Sequence, residues 1–230
     1  MRLPRPIDRM WRRSFGTFEI DDPRPIAAEA RYTFFLPTDE QLAAIQPGDE
    51  VKLIIRSVPP SSEWDAERMW VDVKEAHGDL LSGALDNDPL DIPQLKAGHP
   101  LQFPRSAIID ILWAENRTEA PPPGRNEREY WERCMVDDCV LGGRSPVDYL
   151  YREEPDLAQP DDKYPDSGWR IRGTDDGIAE DEATGRSPQY VAIGAVLNRD
   201  DSWLHLIDSP EGSRFVRDPH SGEFVACEDQ

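Results

Sequence analysis

A polar, proline-rich segment near the middle of the chain limits how this sequence can fold. Residues 115–126 include three consecutive prolines, Pro121, Pro122 and Pro123, followed by Gly124. This composition favours an extended linker over a helix or a central strand. The 230 residues therefore fall into two parts of about 100 residues each, a usual domain size. We predict an N-terminal arm at 1–30, a first domain at 31–114, the linker at 115–126 and a second domain at 127–230.

Short apolar runs between turn residues fill the first domain. They predict strands at 31–36, 50–56, 68–74, 80–85, 101–103 and 107–113. Met69, Val71 and Val73 alternate with polar positions and should face a core. Thr38 and Gln41 have the spacing of a capping box, which predicts a short helix after Pro37.

The N-terminal arm has an apolar side chain at every fourth position. Ile7, Trp11 and Phe15 are spaced i, i+4 and i+8, which predicts a short helix with one apolar stripe. We expect this stripe to pack on the first domain. A disordered arm is the alternative.

The second domain mixes strand patterns with acidic loops. Strands are predicted at 135–141, 147–152, 168–172 and 213–217, the first two forming a hairpin, with a short helix at 127–134. Residues 174–187 are acidic and predict a surface loop. Periodicity leaves residues 190–197 open between helix and strand. The predicted fold class is α+β, with two small domains, each a curled, mainly antiparallel sheet with one or two short helices.

Charge restricts the classes of partner. The chain has 26 Lys and Arg against 46 Asp and Glu, a net charge of −20, and 25 of the acidic residues follow position 120. Such a field repels nucleic-acid phosphates and anionic membranes and attracts basic proteins. We therefore expect a basic protein partner and no nucleic acid or membrane. The competing interpretation is that the charge provides solubility alone.

Cysteine and histidine usage gives no sign of a cofactor. Cys134, Cys139 and Cys227 are an odd number without framework spacing, so free thiols are expected. The four histidines are scattered singly, and a structural zinc site needs four ligands. We predict neither a metal nor a cofactor. The start lacks a secretory signal pattern and no apolar run reaches about 18 residues, which favours a cytoplasmic location.

Two short polar segments of the second domain form the densest candidate site. They are 152–155, Arg-Glu-Glu-Pro, and 166–170, Asp-Ser-Gly-Trp-Arg. Three interpretations compete: ion pairs that fix a loop with the tryptophan as a packing anchor, a partner-recognition edge around an exposed tryptophan, and a carboxylate acid/base pair. No phosphate-binding loop, nucleophile elbow or zinc-protease motif is present. The predicted partner-binding residues are Tyr151, Arg152, Glu153, Glu154, Asp166, Trp169 and Arg170, and no catalytic residue is predicted.

These segments resemble a known bacterial family. Cys139-Val-Leu, residues 149–155, residues 166–170 and residues 206–215 follow the motif order of the immunity protein 33 family. The resemblance implies neutralisation of a toxin delivered by competing bacteria, by direct binding. It carries over no catalytic residues.

The first domain resembles a different family. Phe34, residues 47–52, residues 70–73 and residues 83–89 look like domain of unknown function 2314, which implies no activity. The preferred function is a non-catalytic acidic binding protein, with a toxin as the basic partner that the first resemblance implies. The alternatives are a small-molecule or peptide-binding housekeeping module that uses the sheet of residues 31–113, and a hydrolase that uses the carboxylates of residues 152–170.

Overall fold

The described residues form two compact units, each built around its own sheet. The structure is a computed structural model that describes residues 5–61, 63–64, 66–157 and 161–227. Unit 1 is Met1–Glu29 with Phe34–Glu127, and unit 2 is Ala30–Thr33 with Arg128–Gln230. Each unit contains a six-stranded sheet and short helices. The predicted α+β class, with two curled and mainly antiparallel sheets, is confirmed.

Unit 1 is an antiparallel sheet with helices at its start. Its elements are α1 (Arg5–Phe15), β1 (Thr17–Ile20), α2 (Arg24–Glu29), α3 (Asp39–Ala43), β2 (Glu50–Val58), β3 (Glu67–His77), β4 (Leu80–Leu85), β5 (Pro100–Pro104) and β6 (Ile108–Leu112). The strand order is β1-β2-β3-β4-β5, and β6 also pairs with β2. Met69, Val71 and Val73 lie in the core, as their alternation predicts. The capping box of α3 is also confirmed, since the Thr38 hydroxyl accepts from the Gln41 amide and the Gln41 side chain from the Thr38 amide.

The helix α1 is oriented differently from the prediction. Ile7, Trp11 and Phe15 are 47%, 45% and 75% exposed, whereas Arg12 is 1% exposed. The Arg12 guanidinium donates to Asp8 Oδ2 at 2.8 Å, to Asp91 Oδ1 at 2.7 Å and to other buried acceptors. These charge-assisted hydrogen bonds are the strong ones. The expected apolar packing of the stripe is therefore wrong, because the buried arginine turns the stripe outward.

Strands and short helices alternate along unit 2, and the sequence patterns did not separate all of them. Its elements are β7 (Arg133–Val136), α4 (Asp138–Leu141), β8 (Tyr149–Arg152), β9 (Asp166–Arg172), α5 (Asp175–Thr184), β10 (Gln189–Ala192), α6 (Ile193–Leu197), β11 (Arg214–Arg217) and β12 (Phe224–Ala226). The strand order is β10-β7-β9-β8-β11-β12. The predicted hairpin of residues 135–141 with 147–152 is wrong, because β9 lies between β7 and β8 and pairs with β7 in parallel.

Two further local predictions for unit 2 are corrected, and the segment left open between helix and strand is assigned. The predicted loop 174–187 contains α5, which Thr174 caps by accepting from the Gly177 amide and which Gly185 ends in the left-handed conformation. The predicted helix at 127–134 is absent, since residues 128–132 have no regular structure and β7 follows. The segment 190–197 is both strand and helix, β10 followed by α6.

Residues 31–36 were expected to be a strand of the first domain, and they are not. Residues 31–33 form a turn that belongs to unit 2. The Tyr32 amide donates to Asn198 Oδ1 at 2.9 Å, and Asn198 Nδ2 donates to the Thr33 hydroxyl at 2.7 Å. The Tyr32 ring packs against the unit 2 core. Hydrogen bonds to Asn198 and packing on the core thus hold residues 31–33 in a turn, in place of strand pairing.

The helices of the described residues are short. None of them is both long enough and apolar enough to cross a membrane. The thiols of Cys134, Cys139 and Cys227 are free, and the first two are buried.

Candidate functional site

Strand β9 carries the candidate site because its two faces have different neighbours. Trp169 and Ile171 point into the unit 2 core, where α4 and α6 also place their buried side chains. Alternation along a strand places Asp166, Arg170 and Arg172 on the opposite face. The helices α4 and α6 thus cover one face of the sheet, and the other face, called the outer face below, carries the polar residues.

Arg170 is the centre of an ion-pair cluster on the outer face. Its guanidinium donates to Glu153 Oε1 at 2.5 Å, to Asp156 Oδ1 at 2.8 Å and to both oxygens of Asp166 at 3.0–3.1 Å. The side chain of Arg170 is 6% exposed and that of Asp166 is 0% exposed. Glu153 and Asp156 are 45% and 69% exposed. The cluster therefore joins a buried ion pair to two carboxylates at the surface.

Asp166 also holds the chain that follows β8. Its Oδ2 accepts from the amides of Asp156 and Leu157, and its Oδ1 accepts from the amide of Gly168. Burial alone would raise the pKa of Asp166, but the hydrogen bonds from Arg170 and from the Leu157 and Gly168 amides lower it below its ordinary value. An ionised carboxylate cannot act as a general acid at neutral pH. The acid/base interpretation therefore lacks the raised carboxyl pKa that it requires at this residue.

A glycine makes the close approach of the two segments possible. Gly168 has φ +79°, the left-handed region that favours glycine. A Cβ at this position would overlap the carbonyl oxygen of Glu153, whose amide donates to the Gly168 carbonyl at 3.0 Å. The glycine in Asp-Ser-Gly-Trp-Arg is therefore required by the close packing of this segment against Glu153.

Trp169 is a core residue. It is 0% exposed, its Nε1 donates to the Ile207 carbonyl at 3.2 Å and its ring packs edge-on against Trp203. Arg152 lies over the Trp169 ring and donates to the carbonyls of Ser167 and Ser209. The expectation of an exposed tryptophan at a recognition edge is wrong, because this strand position faces the core.

The predicted partner-binding residues thus separate into two groups. Asp166, Trp169 and Arg170 are buried. Tyr151 and Arg152 are half-buried, and Glu153 and Glu154 are exposed. The structure brings Glu153, Asp166 and Arg170 together in ion pairs that fix a loop to the sheet, which was the structural interpretation. A partner can touch Tyr151, Glu153 and Glu154 directly. Arg152 is engaged with the Trp169 ring and with two carbonyls, so it belongs with the buried members, which can act only by positioning the others.

The outer face next to the cluster carries aromatic side chains. Cross-strand pairing places Tyr149 opposite Arg172 and Tyr151 opposite Arg170. The two tyrosine rings lie 5.5 Å apart, and both residues are half-buried. Tyrosine and arginine are enriched where proteins bind one another tightly. The outer face therefore has the composition of a binding surface.

A cavity of about 230 Å³ lies beside this pair. Its lining residues are Met135, Val136, Asp137, Tyr151, Arg170, Ile171, Arg172 and Pro188. Reasoning from the sequence missed Met135, Asp137, Asp156 and Arg172 as parts of the site. The alternation of Tyr149 and Tyr151 was a visible signal, but assigning their neighbours required the strand order.

Unit 1 has a larger depression, about 660 Å³ in volume. It is lined by Lys74, Glu75, Ser82, Gly83, Ala84, Pro100, Leu101 and Gln102. Ligand sites are usually lined by aromatic and other apolar side chains with a few polar groups, and no aromatic ring is among these described lining residues. The use of this sheet as a ligand surface stays a prediction.

The carboxylates of unit 2 are arranged around arginine. In the part of the chain that the structure describes, no group of three or more His, Cys, Asp or Glu side chains is placed to hold a metal ion. The Arg170 guanidinium lies at the centre of the carboxylates of Glu153, Asp156 and Asp166, the position that a cation would otherwise take.

Comparison with known proteins identifies the region that contains this cluster. Residues 134–228 match the family model of the Immunity protein Imm33 domain. The match covers less than half of the chain. Searches of the curated proteins and of the solved structures found no match.

The match to the immunity protein domain confirms the resemblance for the second half. It includes β8, β9, the Arg170 cluster and the lining of the 230 Å³ cavity. The resemblance of the first half to domain of unknown function 2314 stays a prediction.

Proposed function

We propose that the chain is a cytoplasmic immunity protein that neutralises a bacterial toxin by binding it directly, without catalysing a reaction. The observation that carries this proposal is the match of residues 134–228 to the Immunity protein Imm33 domain. The Arg170 cluster and the tyrosine pair lie inside the matched range. The partner surface is therefore sought in unit 2.

The proposed contact surface is the outer face around Tyr149 and Tyr151, bounded by Glu153, Glu154 and Asp156. The two rings supply large contact area at low cost in side-chain entropy. The Arg170 cluster holds Glu153 and Asp156 in place before a partner arrives. A preorganised surface loses less conformational entropy on binding. Asp166, Trp169 and Arg170 serve as positioning residues in this proposal.

The charge of this surface favours a basic toxin. Arg170 is one cation among three carboxylates, so the cluster carries a net charge of −2. The whole chain carries −20. Complementary charge raises the association rate, by factors that fall as salt screens the field.

Co-purification tests the proposal. The product of the toxin gene nearest to this chain's gene would be inactivated at its catalytic site, tagged and mixed with the full chain. The mixing would be done at about 50 mM and about 500 mM salt, because the Debye length is longer than about 10 Å at the lower concentration and shorter at the higher one. The expected result is a stable complex that forms more slowly at high salt, and protection of cells that express the active toxin. A toxin that neither binds the chain nor is neutralised by it would refute the proposal.

A matched pair of variants locates the surface. Glu153→Lys reverses one carboxylate beside the tyrosines, and Glu180→Lys reverses a carboxylate of similar exposure on α5. Both change the net charge of the chain equally. We expect Glu153→Lys to slow association more than Glu180→Lys, because only Glu153 belongs to the proposed surface. Equal effects would mean that the general field, and not this surface, steers the toxin.

A further inference from the structure

The helix α1 presents a stripe of exposed apolar side chains. Ile7, Met10, Trp11 and Phe15, called the α1 stripe below, are 47%, 66%, 45% and 75% exposed. At 100° per residue the four lie within an arc of about 140° on one side of the helix. The rings of Trp11 and Phe15 are in contact, with their centroids 5.9 Å apart. Contiguous apolar surface of this kind marks a site of interaction with a protein or a membrane.

The anchoring of α1 keeps this stripe outward. The buried guanidinium of Arg12 donates to Asp91 and to the Ser57 hydroxyl, and Gln94 Nε2 donates to the Arg12 carbonyl at 2.8 Å. A roll of the helix that buried the stripe would break the buried ion pair between Arg12 and Asp91, which is strongly unfavourable. The stripe therefore stays available to a binding partner.

The charge of α1 is opposite to that of the whole chain. Its eleven residues include four arginines and a single carboxylate, that of Asp8. Asp91 adds one more carboxylate, so the helix together with its ion-pair partner carries +2. Arg9 and Arg13 are exposed and lie outside the stripe, on the polar side of the helix. An apolar stripe with aromatic rings beside an arginine-rich polar side is the pattern of helices that lie in the surface of a membrane.

The net charge of −20 led us to expect no membrane partner, but that charge does not decide the behaviour of α1. At physiological salt the Debye length is about 8 Å, so exposed charges farther away are largely screened. The local charge of α1 then determines its attraction to an anionic surface. The same local charge disfavours pairing of α1 with a second copy of itself and with a basic protein, because both would bring like charges together.

We propose that α1 attaches the chain to an anionic lipid bilayer, with the α1 stripe inserted at the boundary between head groups and acyl chains and with Arg9 and Arg13 attracted to the lipid phosphates. Eleven residues of helix are about 16 Å long, so α1 lies in the surface. The proposal is independent of the proposed immunity function, because α1 lies outside the matched residues 134–228.

Sedimentation with lipid vesicles tests the proposal on the full chain. Vesicles of phosphatidylglycerol and phosphatidylcholine in equal amounts would be compared with vesicles of phosphatidylcholine alone, at about 150 mM salt. The expected result is saturable binding to the anionic vesicles, at least about five-fold stronger than binding to the neutral ones. Absence of binding to the anionic vesicles, or equal binding to both kinds, would overturn the proposal.

Matched variants assign the binding to α1. Ile7 and Leu112 are aliphatic side chains of similar exposure, 47% and 55%, but Leu112 lies on β6. We expect Ile7→Ser to weaken vesicle binding by about five-fold and Leu112→Ser to leave it unchanged. Arg13→Gln should also weaken it by about five-fold, whereas Arg186→Gln, which changes the net charge equally on unit 2, should not. Equal effects within either pair would overturn the assignment to α1.

Two further readouts separate lipid from a second copy of the chain. Lipids with brominated acyl chains should quench the fluorescence of the wild type more than that of Trp11→Phe, because Trp11 is placed at the acyl boundary. Equal quenching of the two would overturn the insertion of the stripe. Sedimentation velocity without lipid should show a monomer. A dimer that Ile7→Ser dissociates and Leu112→Ser preserves would assign the stripe to a second copy and overturn the proposal.

Discussion

Replacement of Arg170 by methionine tests the energetic role of the ion-pair cluster. Methionine has a similar length and no charge, so Arg170→Met removes the cation and leaves Asp166 buried with its amide hydrogen bonds alone. Removal of one partner of a buried pair costs about 3–5 kcal/mol. The contacts with Glu153 and Asp156 add little, because these carboxylates are exposed and such pairs contribute about 0–1 kcal/mol each.

The loss is large relative to the stability of a unit of this size. About 100 residues are stabilised by roughly 5–15 kcal/mol. With a urea slope of about 1–3 kcal/mol per molar, the unfolding midpoint of unit 2 should fall by about 2 M. Cys134 and Cys139 are buried in the unit 2 core. Pulse labelling of their thiols across a urea series therefore reports the unfolding of this unit.

The pH dependence gives a second measurement on the same variant. The pKa of Asp166 in the folded protein lies below its ordinary value. The contribution of the ionised Asp166 carboxylate to the stability of the folded protein is therefore complete above about pH 4, the pKa of an aspartate in the unfolded chain. The contribution is lost as the pH falls through the lower, folded value. Without Arg170 the pKa of Asp166 rises. The stability difference between wild type and Arg170→Met should therefore narrow on acidification below pH 4.

A surface arginine of the same unit is the control. Arg186 is 40% exposed and lies 3.5 Å or more from its carboxylate partners. Arg186→Met should cost less than about 1 kcal/mol. The reasoning is refuted if Arg170→Met costs no more than Arg186→Met, or if their difference grows as the pH falls.

Two further predictions concern α1 and the thiols. Arg12→Met should destabilise unit 1 by about 3–5 kcal/mol, because it leaves the buried Asp91 carboxylate without its cation. Trp11→Ser, at an exposed position of the same helix, should cost under about 1 kcal/mol. Urea denaturation of the two variants measures both costs, and a larger cost for Trp11→Ser would contradict the account of the buried arginine. Burial raises the pKa of Cys134 to about 12 and also raises the pKa of Cys139. A thiol reagent at pH 8 should therefore label the half-buried Cys227 first in the folded protein. Equally rapid labelling of all three thiols would contradict this order and show that unit 2 opens readily.

Local patterns predicted the elements that local contacts determine. The capping box of α3 is closed between Thr38 and Gln41, three residues apart. The alternation of Met69, Val71 and Val73 placed β3 correctly, because one face of that strand is buried. Thr174 and Gly185 also carried the cap signals of α5, but the acidic composition between them favoured a loop.

Long-range contacts explain what the sequence did not reveal. The insertion of β9 between β7 and β8 depends on pairing across about 35 residues, and no turn signal reports it. Arg12 is buried because Asp91 and Ser57 meet it, 79 and 45 residues away in sequence. The exposed position predicted for Trp169 failed for the same reason, since its partner Trp203 follows 34 residues later.

The affinity of the proposed toxin partner for a variant with a blocked cavity tests the proposed function most directly. Tyr151→Arg places a cation and added bulk at the cavity lined by Asp137, and Leu112→Arg makes the same change of charge on an exposed strand position of unit 1. Calorimetric titration of the toxin should give a Kd at least about ten-fold weaker for Tyr151→Arg, about 1.4 kcal/mol, and an unchanged Kd for Leu112→Arg. An unchanged Kd for Tyr151→Arg would contradict the proposal that the outer face of unit 2 binds a basic partner.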